Sequence, residues 1–305
     1  MRKLEPVDID AVNFVGDIIS SSGKRGENKE ETKKATEEFR SRCSAIVSTN
    51  EQTIKQYDDD FAANLLENLE NKGQLNDDEK DDFLSLYSYQ KIQIKHLRNE
   101  VLTQNGYINE DCPLCECDSV STMDHYLPKE EYPLFVVHPR NLIPCCNSCN
   151  QHKSVNVFKD GKRVFWNCYL DNPINTRYLY CTISTKDGLL SGEFSIDVSG
   201  LPEQEAFVVE NTMGEKGQSV LAQYNKKVGN EIKEMIKRIS GLMLKGNEFD
   251  DCVRKIKEAD LPSPVMNNWK EVLKEALLNS NVFLKFAKEE SEKIVDMSPT
   301  DEKEC

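Results

Sequence analysis

Residues 112–153 read CPLCECDSVSTMDHYLPKEEYPLFVVHPRNLIPCCNSCNQHK, and the rest of the chain is read outward from them. The stretch holds two Cys-x-x-Cys pairs, an Asp-His dipeptide between them, and an Asn directly after the last cysteine. Three of the four histidines fall inside it. Zn²⁺ is well served by four thiolates in a tetrahedron, and each tight Cys-x-x-Cys bend supplies two of them. Cys112, Cys115, Cys146 and Cys149 are therefore the expected ligands of a structural zinc. Cys117 and Cys145 stand close enough in sequence to replace one of the four. Four sulfur ligands leave no open position, so this zinc would staple a unit too small to hold itself together.

The chemistry is expected between the two knuckles. Asp124-His125 lies in STMDHYL, a short strand-like run, so the two side chains alternate to opposite faces. Asn147 can cap a helix that begins at Ser148, which places Asn150 on the first turn and Lys153 one turn on along the same face. Asp124 and the Asn150 side-chain carbonyl are hard oxygen donors suited to one Mg²⁺ or Mn²⁺. His125, turned away from Asp124, is free to take a proton from an attacking water. Lys153, Arg140 and Lys129 are candidate phosphate contacts. His138 precedes Pro139 and reads as a loop-closing residue, while His152 and His96 read as surface or packing residues.

The arrangement Cys-x-x-Cys, Asp-His-x-x-Pro-Lys, Asn-Leu-x-Pro-x-Cys-x-x-Cys-Asn-x-x-Lys resembles the HNH endonucleases of the ββα-metal fold, with Asn150 at the third signature position. The resemblance implies His125 as general base, Asp124 and Asn150 as catalytic metal ligands, and Asn141 as the residue that fixes the loop and orients His125. A looser likeness, carried by DHYLPK…YPLF…NLIPCCNSCN, is to the stand-alone HNH nucleases of bacterial anti-phage systems. The Septu type, which works beside an ATPase partner, is similar. What this implies is a phosphodiesterase acting on nucleic acid, DNA before RNA, in antiviral defence. A catalytically inactive zinc-stapled assembly module and an RNA-directed nuclease stay open as alternatives.

Composition sets bounds on that reading. A net charge of −14 argues against tight, non-specific duplex binding by the chain alone, because neutralising phosphates takes clustered Lys and Arg. Substrate is then expected through a local patch or a partner. No apolar run approaches the roughly 20 residues of a membrane span, so no membrane association is expected. The N-terminal MRKLEPVDIDAVNF has no apolar core of a secretory signal. Eleven cysteines in such a chain read as reduced thiols and metal ligands, and the expected compartment is the cytoplasm.

The expected fold class is α+β. Residues 1–106 form a helical region, with helices over 29–55 and 61–71, a stop at Gly73, and a third helix capped by Asn76 or Asp77 and running to Asn105-Gly106. Residues 107–170 form the zinc-stapled unit, ending in a short hairpin about Asp160-Gly161. Residues 171–290 begin with a hairpin about Asp187-Gly188. They continue in a long helix from Gly217 to Leu244 and shorter helices at 247–258, 264–279 and 281–289. Residues 291–305 have the composition of a disordered acidic tail. The periodic apolar faces of the flanking helices exceed what the small central unit can cover, so a homo-oligomer or partner surface is expected there.

Overall fold

A computed structural model of the chain describes residues 1–69, 75–155, 157–214, 220–259 and 266–297. They fall into two compact units. The first comprises Met1–Pro173 together with Phe207–Thr212; the second comprises Ile174–Ala206 and the chain from Met213 onward.

The first unit opens with α1 (Ala11–Ser21), capped by the Asp10 carboxylate, which accepts from the Asn13 amide. Its buried stripe is Phe14, Val15, Ile18 and Ile19, and it packs on α2 (Lys29–Ala62). The Asn28 side chain caps α2 by accepting from the amides of Glu30 and Glu31. The expected separate helices at 29–55 and 61–71 are instead one helix of 34 residues. Ile54, Tyr57 and Phe61 carry its buried stripe past Lys55, and nothing between them breaks a helix. It ends as Asn64 turns to φ 56°, and only a 3-10 turn at Leu66–Asn68 follows. Gly73 lies outside the described residues.

α3 (Asp77–Leu84) begins with a full capping box, the Asn76 and Glu79 side chains each bonded to the other's backbone amide. The expected helix to residue 105 breaks here, and α4 (Ile92–Leu102) is separate. The intervening SLYSYQK holds Ser85, Tyr87, Ser88 and Tyr89, which are weaker helix formers than Leu, Gln or Lys. Its backbone closes tight turns, Leu86 N–H to Phe83 O and Lys91 N–H to Ser88 O. Asp82 ties α3 to α2 through Arg42 at 2.8 Å. A two-residue hairpin, β1 (Thr103–Gln104) and β2 (Tyr107–Ile108), turns at Asn105-Gly106, both at positive φ as a type I′ turn requires.

β3 (Thr122–His125) pairs antiparallel with β4 (Leu142–Cys145), Asp124 opposite Ile143 and His125 opposite Leu142. α5 (Asn147–Lys153) follows directly. Its cap is Cys146 rather than the expected Asn147: the Cys146 sulfur accepts from the Cys149 amide, so the second knuckle and the helix start are one turn. A second small hairpin, β5 (Phe158–Lys159) and β6 (Lys162–Arg163), turns at Asp160-Gly161 as expected.

The second unit is built on a hairpin of eight paired positions, β7 (Leu179–Lys186) and β8 (Leu189–Ile196), turning at Asp187-Gly188. α6 (Glu203–Met213) occupies a stretch for which the sequence suggested no element, and its residues 207–212 group with the first unit. α7 (Val220–Met243) lies along β8. The approach is close: a Cβ at Gly192 would sit 2.9 Å from Val228 Cγ1. Tyr224 and Trp269 stack, and Phe194 meets both of them at an angle, in one aromatic cluster. α8 (Phe249–Ala259), α9 (Trp269–Asn279) and α10 (Asn281–Met297) complete the unit. α10 continues through residues 291–297, expected as tail, because Phe283, Ala287 and Ser291 form one buried stripe. Residues 298–305 lie outside the described ones. Among the described residues, no helix is long and apolar enough to cross a membrane.

Candidate functional site

The sulfurs of Cys112, Cys115, Cys146 and Cys149 all lie within 4.8 Å of one another, and all four residues are buried. Cys115 Sγ and Cys146 Sγ are 3.8 Å apart. A tetrahedron with metal–sulfur bonds of about 2.3 Å has sulfur–sulfur edges of about 3.8 Å, so the spacing fits Zn²⁺. Each knuckle also turns a backbone amide onto a sulfur, Cys117 N–H to Cys115 and Cys149 N–H to Cys146, both at 3.4 Å. Hydrogen bonding from neighbouring thiols, Cys112 foremost, lowers the pKa of Cys115 and Cys146, while burial raises that of Cys112. Four buried thiols so arranged can hold a zinc ion. Cys117 and Cys145, left open by the sequence, fall outside the set.

One strand away, His125 and Asp124 point to opposite faces, as alternation requires: His125 is buried and Asp124 half-buried. The His125 Nε2 atom lies 2.8 Å from the Val136 carbonyl oxygen. A carbonyl only accepts, so Nε2 carries the hydrogen and Nδ1 keeps its lone pair. Nδ1 has no hydrogen-bond partner among the described residues. Burial foremost pushes the imidazole down to about 3, so the ring is neutral at ordinary pH.

The loop that supplies Val136 is braced by Asn141, which is fully buried. Its Oδ1 accepts from the Leu127 amide at 2.7 Å and the Tyr57 hydroxyl at 3.3 Å. Its Nδ2 donates to the carbonyls of Phe135 at 3.1 Å and Leu127 at 3.3 Å. One side chain thereby joins the exit of β3, the residue before Val136, and α2.

Lys153 departs from the expected phosphate contact. It is 1% exposed. Its ammonium lies 3.0 Å from Asp124 Oδ2 and donates to the carbonyls of His125 at 2.8 Å and Tyr126 at 3.4 Å. The ammonium is close enough to Asp124 for an ion pair that favours the charged carboxylate. Burial raises the Asp124 pKa and Lys153 opposes it. Asn150 stands one turn before Lys153 on α5, half-buried, and its side-chain amide has no partner among the described residues. The Asp124 carboxylate, paired with Lys153, and the Asn150 side-chain carbonyl stand on adjoining elements and are the kind of oxygen donors a hard divalent cation takes.

Arg140 is likewise committed elsewhere: its guanidinium binds Asp58 on α2 at 2.6 Å and lies over the Phe61 ring. Lys129 is exposed, and its charge reaches both Asp124 and His125. His138 is buried and closes its loop by accepting from the Arg140 amide at 3.3 Å. His152 is held by the Asn211 carbonyl at 3.1 Å. Tyr87, in the turn between α3 and α4, was not among the expected site residues. The Tyr87 ring lies 4.4 Å from the His125 ring, centroid to centroid.

Compared with known proteins, residues of this chain are 35% identical over 107 positions to the Septu protein PtuB of Bacillus thuringiensis, covering 33% of this chain and 40% of that protein. They are 27% identical over 215 positions to protein ea31 of Escherichia phage lambda, covering 61% of this chain and 67% of that protein. The chain thus spans about two fifths of the first relative and two thirds of the second. The Septu similarity agrees with the looser likeness read from the sequence. No family model matches the chain, and no solved structure does.

Proposed function

We propose that this chain is a metal-dependent endonuclease of the HNH, ββα-metal type, cutting DNA in preference to RNA, and that it serves antiviral defence. The observation that carries the reading is the His125–Val136 hydrogen bond, which leaves the Nδ1 lone pair as the proton acceptor. In this reading His125 Nδ1 takes a proton from a water that attacks phosphorus in line. Asp124 and Asn150 would hold Mg²⁺ or Mn²⁺, which when bound stabilises charge on the phosphate and leaving oxygen. Asn141 keeps the loop, and so the Val136 carbonyl, in place. Lys129 is the exposed cation available to phosphate.

The defence role is supported by the similarity to a Septu protein. The net charge of −14 makes a partner that presents the nucleic acid part of the proposal, and an ATPase is its expected kind. The test is incubation of the purified chain with supercoiled plasmid, single-stranded DNA and tRNA, each with Mg²⁺, Mn²⁺ or EDTA. Metal-dependent nicking of plasmid that EDTA stops is the expected result. A second reading, an assembly module without catalysis, draws on the Lys153 ammonium already placed on Asp124. It expects every substrate to remain intact.

A further inference from the structure

Val136 holds one atom of His125 but not the plane of its ring. A single hydrogen bond at Nε2 leaves the imidazole free to rock about the N–O line. The second side-chain torsion of histidine is broad and roughly two-fold, so rotamer preference does not set the tilt either. A base whose lone pair must meet one water needs that tilt fixed. Tyr87 lies against the ring with planes at 67°, the edge-to-face arrangement that aromatic pairs favour. Its hydroxyl donates to the Met123 carbonyl, so it is tied to the same strand that carries His125. Tyr87 stands in the break between α3 and α4, and α3 also packs against the 3-10 turn Pro133–Phe135 that leads into Val136. Both restraints on the imidazole are therefore backed by α3 and the turn that follows it, outside the cysteine-rich segment.

We propose that Tyr87 is a positioning residue for His125, fixing the tilt of the imidazole while Val136 fixes its tautomer. As a role in catalysis this rests on the nuclease reading; as a restraint on the ring it does not. The test compares the full chain, labelled with ¹⁵N-histidine, as wild type, Tyr87→Phe and Tyr87→Leu, with His125→Asn to assign the signals. Wild type and Tyr87→Phe should give one set of His125 ring signals with hydrogen on Nε2. Tyr87→Leu should shift and broaden them. In plasmid nicking, Tyr87→Phe, which keeps the ring but loses its tie to Met123, should lose less than Tyr87→Leu, which should lose about 10- to 100-fold in kcat with KM and zinc content unchanged. Tyr87→Met carries the same expectations should the leucine variant not fold. Unchanged ring signals together with unchanged kcat in a folded Tyr87→Leu or Tyr87→Met chain would overturn the proposal. A wild-type chain that cuts nothing overturns the nuclease reading alone, and the ring signals then decide for or against the restraint.

Discussion

Lys153 Nζ lies 3.0 Å from Asp124 Oδ2, so the cation nearest the candidate catalytic carboxylate is the protein's own. The lysine is almost wholly buried and also donates to the His125 carbonyl, which fastens α5 to the back of β3. Removing one partner of such a pair leaves the other charge uncompensated. Lys153→Met should therefore destabilise the first unit by about 3 kcal/mol in urea unfolding. Adding Asp124→Asn should restore part of that loss. In the single variant, millimolar Mg²⁺ or Mn²⁺ should raise the melting temperature more than in wild type, because the ammonium no longer competes. Equal stability of Lys153→Met and wild type would mean the pair contributes nothing to the fold.

The four-cysteine cluster predicts one tightly held zinc per chain. Elemental analysis of freshly purified protein measures it. Cys112→Ser and Cys149→Ser should each lose the metal and unfold the segment around β3, β4 and α5, since binding a structural zinc is coupled to folding. Cys145→Ser should keep it, because Cys145 is buried outside the cluster.

His125→Ala should lower cleavage by about 10²–10⁴ while zinc content stays unchanged, the usual cost of removing a general base. Asn150→Ala should instead weaken Mg²⁺ binding, so that cleavage needs a higher metal concentration and is partly rescued by it. Titration of cleavage against metal for the three proteins separates these outcomes. A His125→Ala chain as active as wild type would overturn the assignment of the base.

His138 gives a pH dependence of stability. Burial foremost pushes its pKa down to about 3 from an ordinary 6.5. The unfolded chain binds this proton as pH falls through about 6.5, whereas the folded chain resists until about 3. The fold therefore holds its full stability above about pH 7 and loses it progressively as pH falls between those values. The loss attributable to this residue is on the order of a few kcal/mol by pH 3. Unfolding free energies of wild type and His138→Gln across pH 4–8 check this: the variant should show a shallower slope, and parallel slopes would refute it.

The grouping of Cys112, Cys115, Cys146 and Cys149, the opposite facing of Asp124 and His125, and the hairpin turns at Asp160-Gly161 and Asp187-Gly188 were legible in the residues themselves. Each rests on local rules: metal-ligand spacing, the two-residue period of a strand, and Asp-Gly turns. Cys146 as the cap of α5 was not legible, because a thiol already engaged in a knuckle also accepts the first helix amide. Helix ends at Ala62 and Met297 were misplaced for a different reason. Where a buried stripe such as Phe283, Ala287 and Ser291 finds a neighbour to pack on, burial outweighs the local composition that reads as tail. The fate of the cations was decided by tertiary structure alone. Nothing in the sequence distinguishes a lysine that greets phosphate from one that is buried on Asp124, or an arginine in solvent from one locked to Asp58. Tyr87 belongs to the same class: its neighbour His125 is far along the chain, and only folding brings the two rings together.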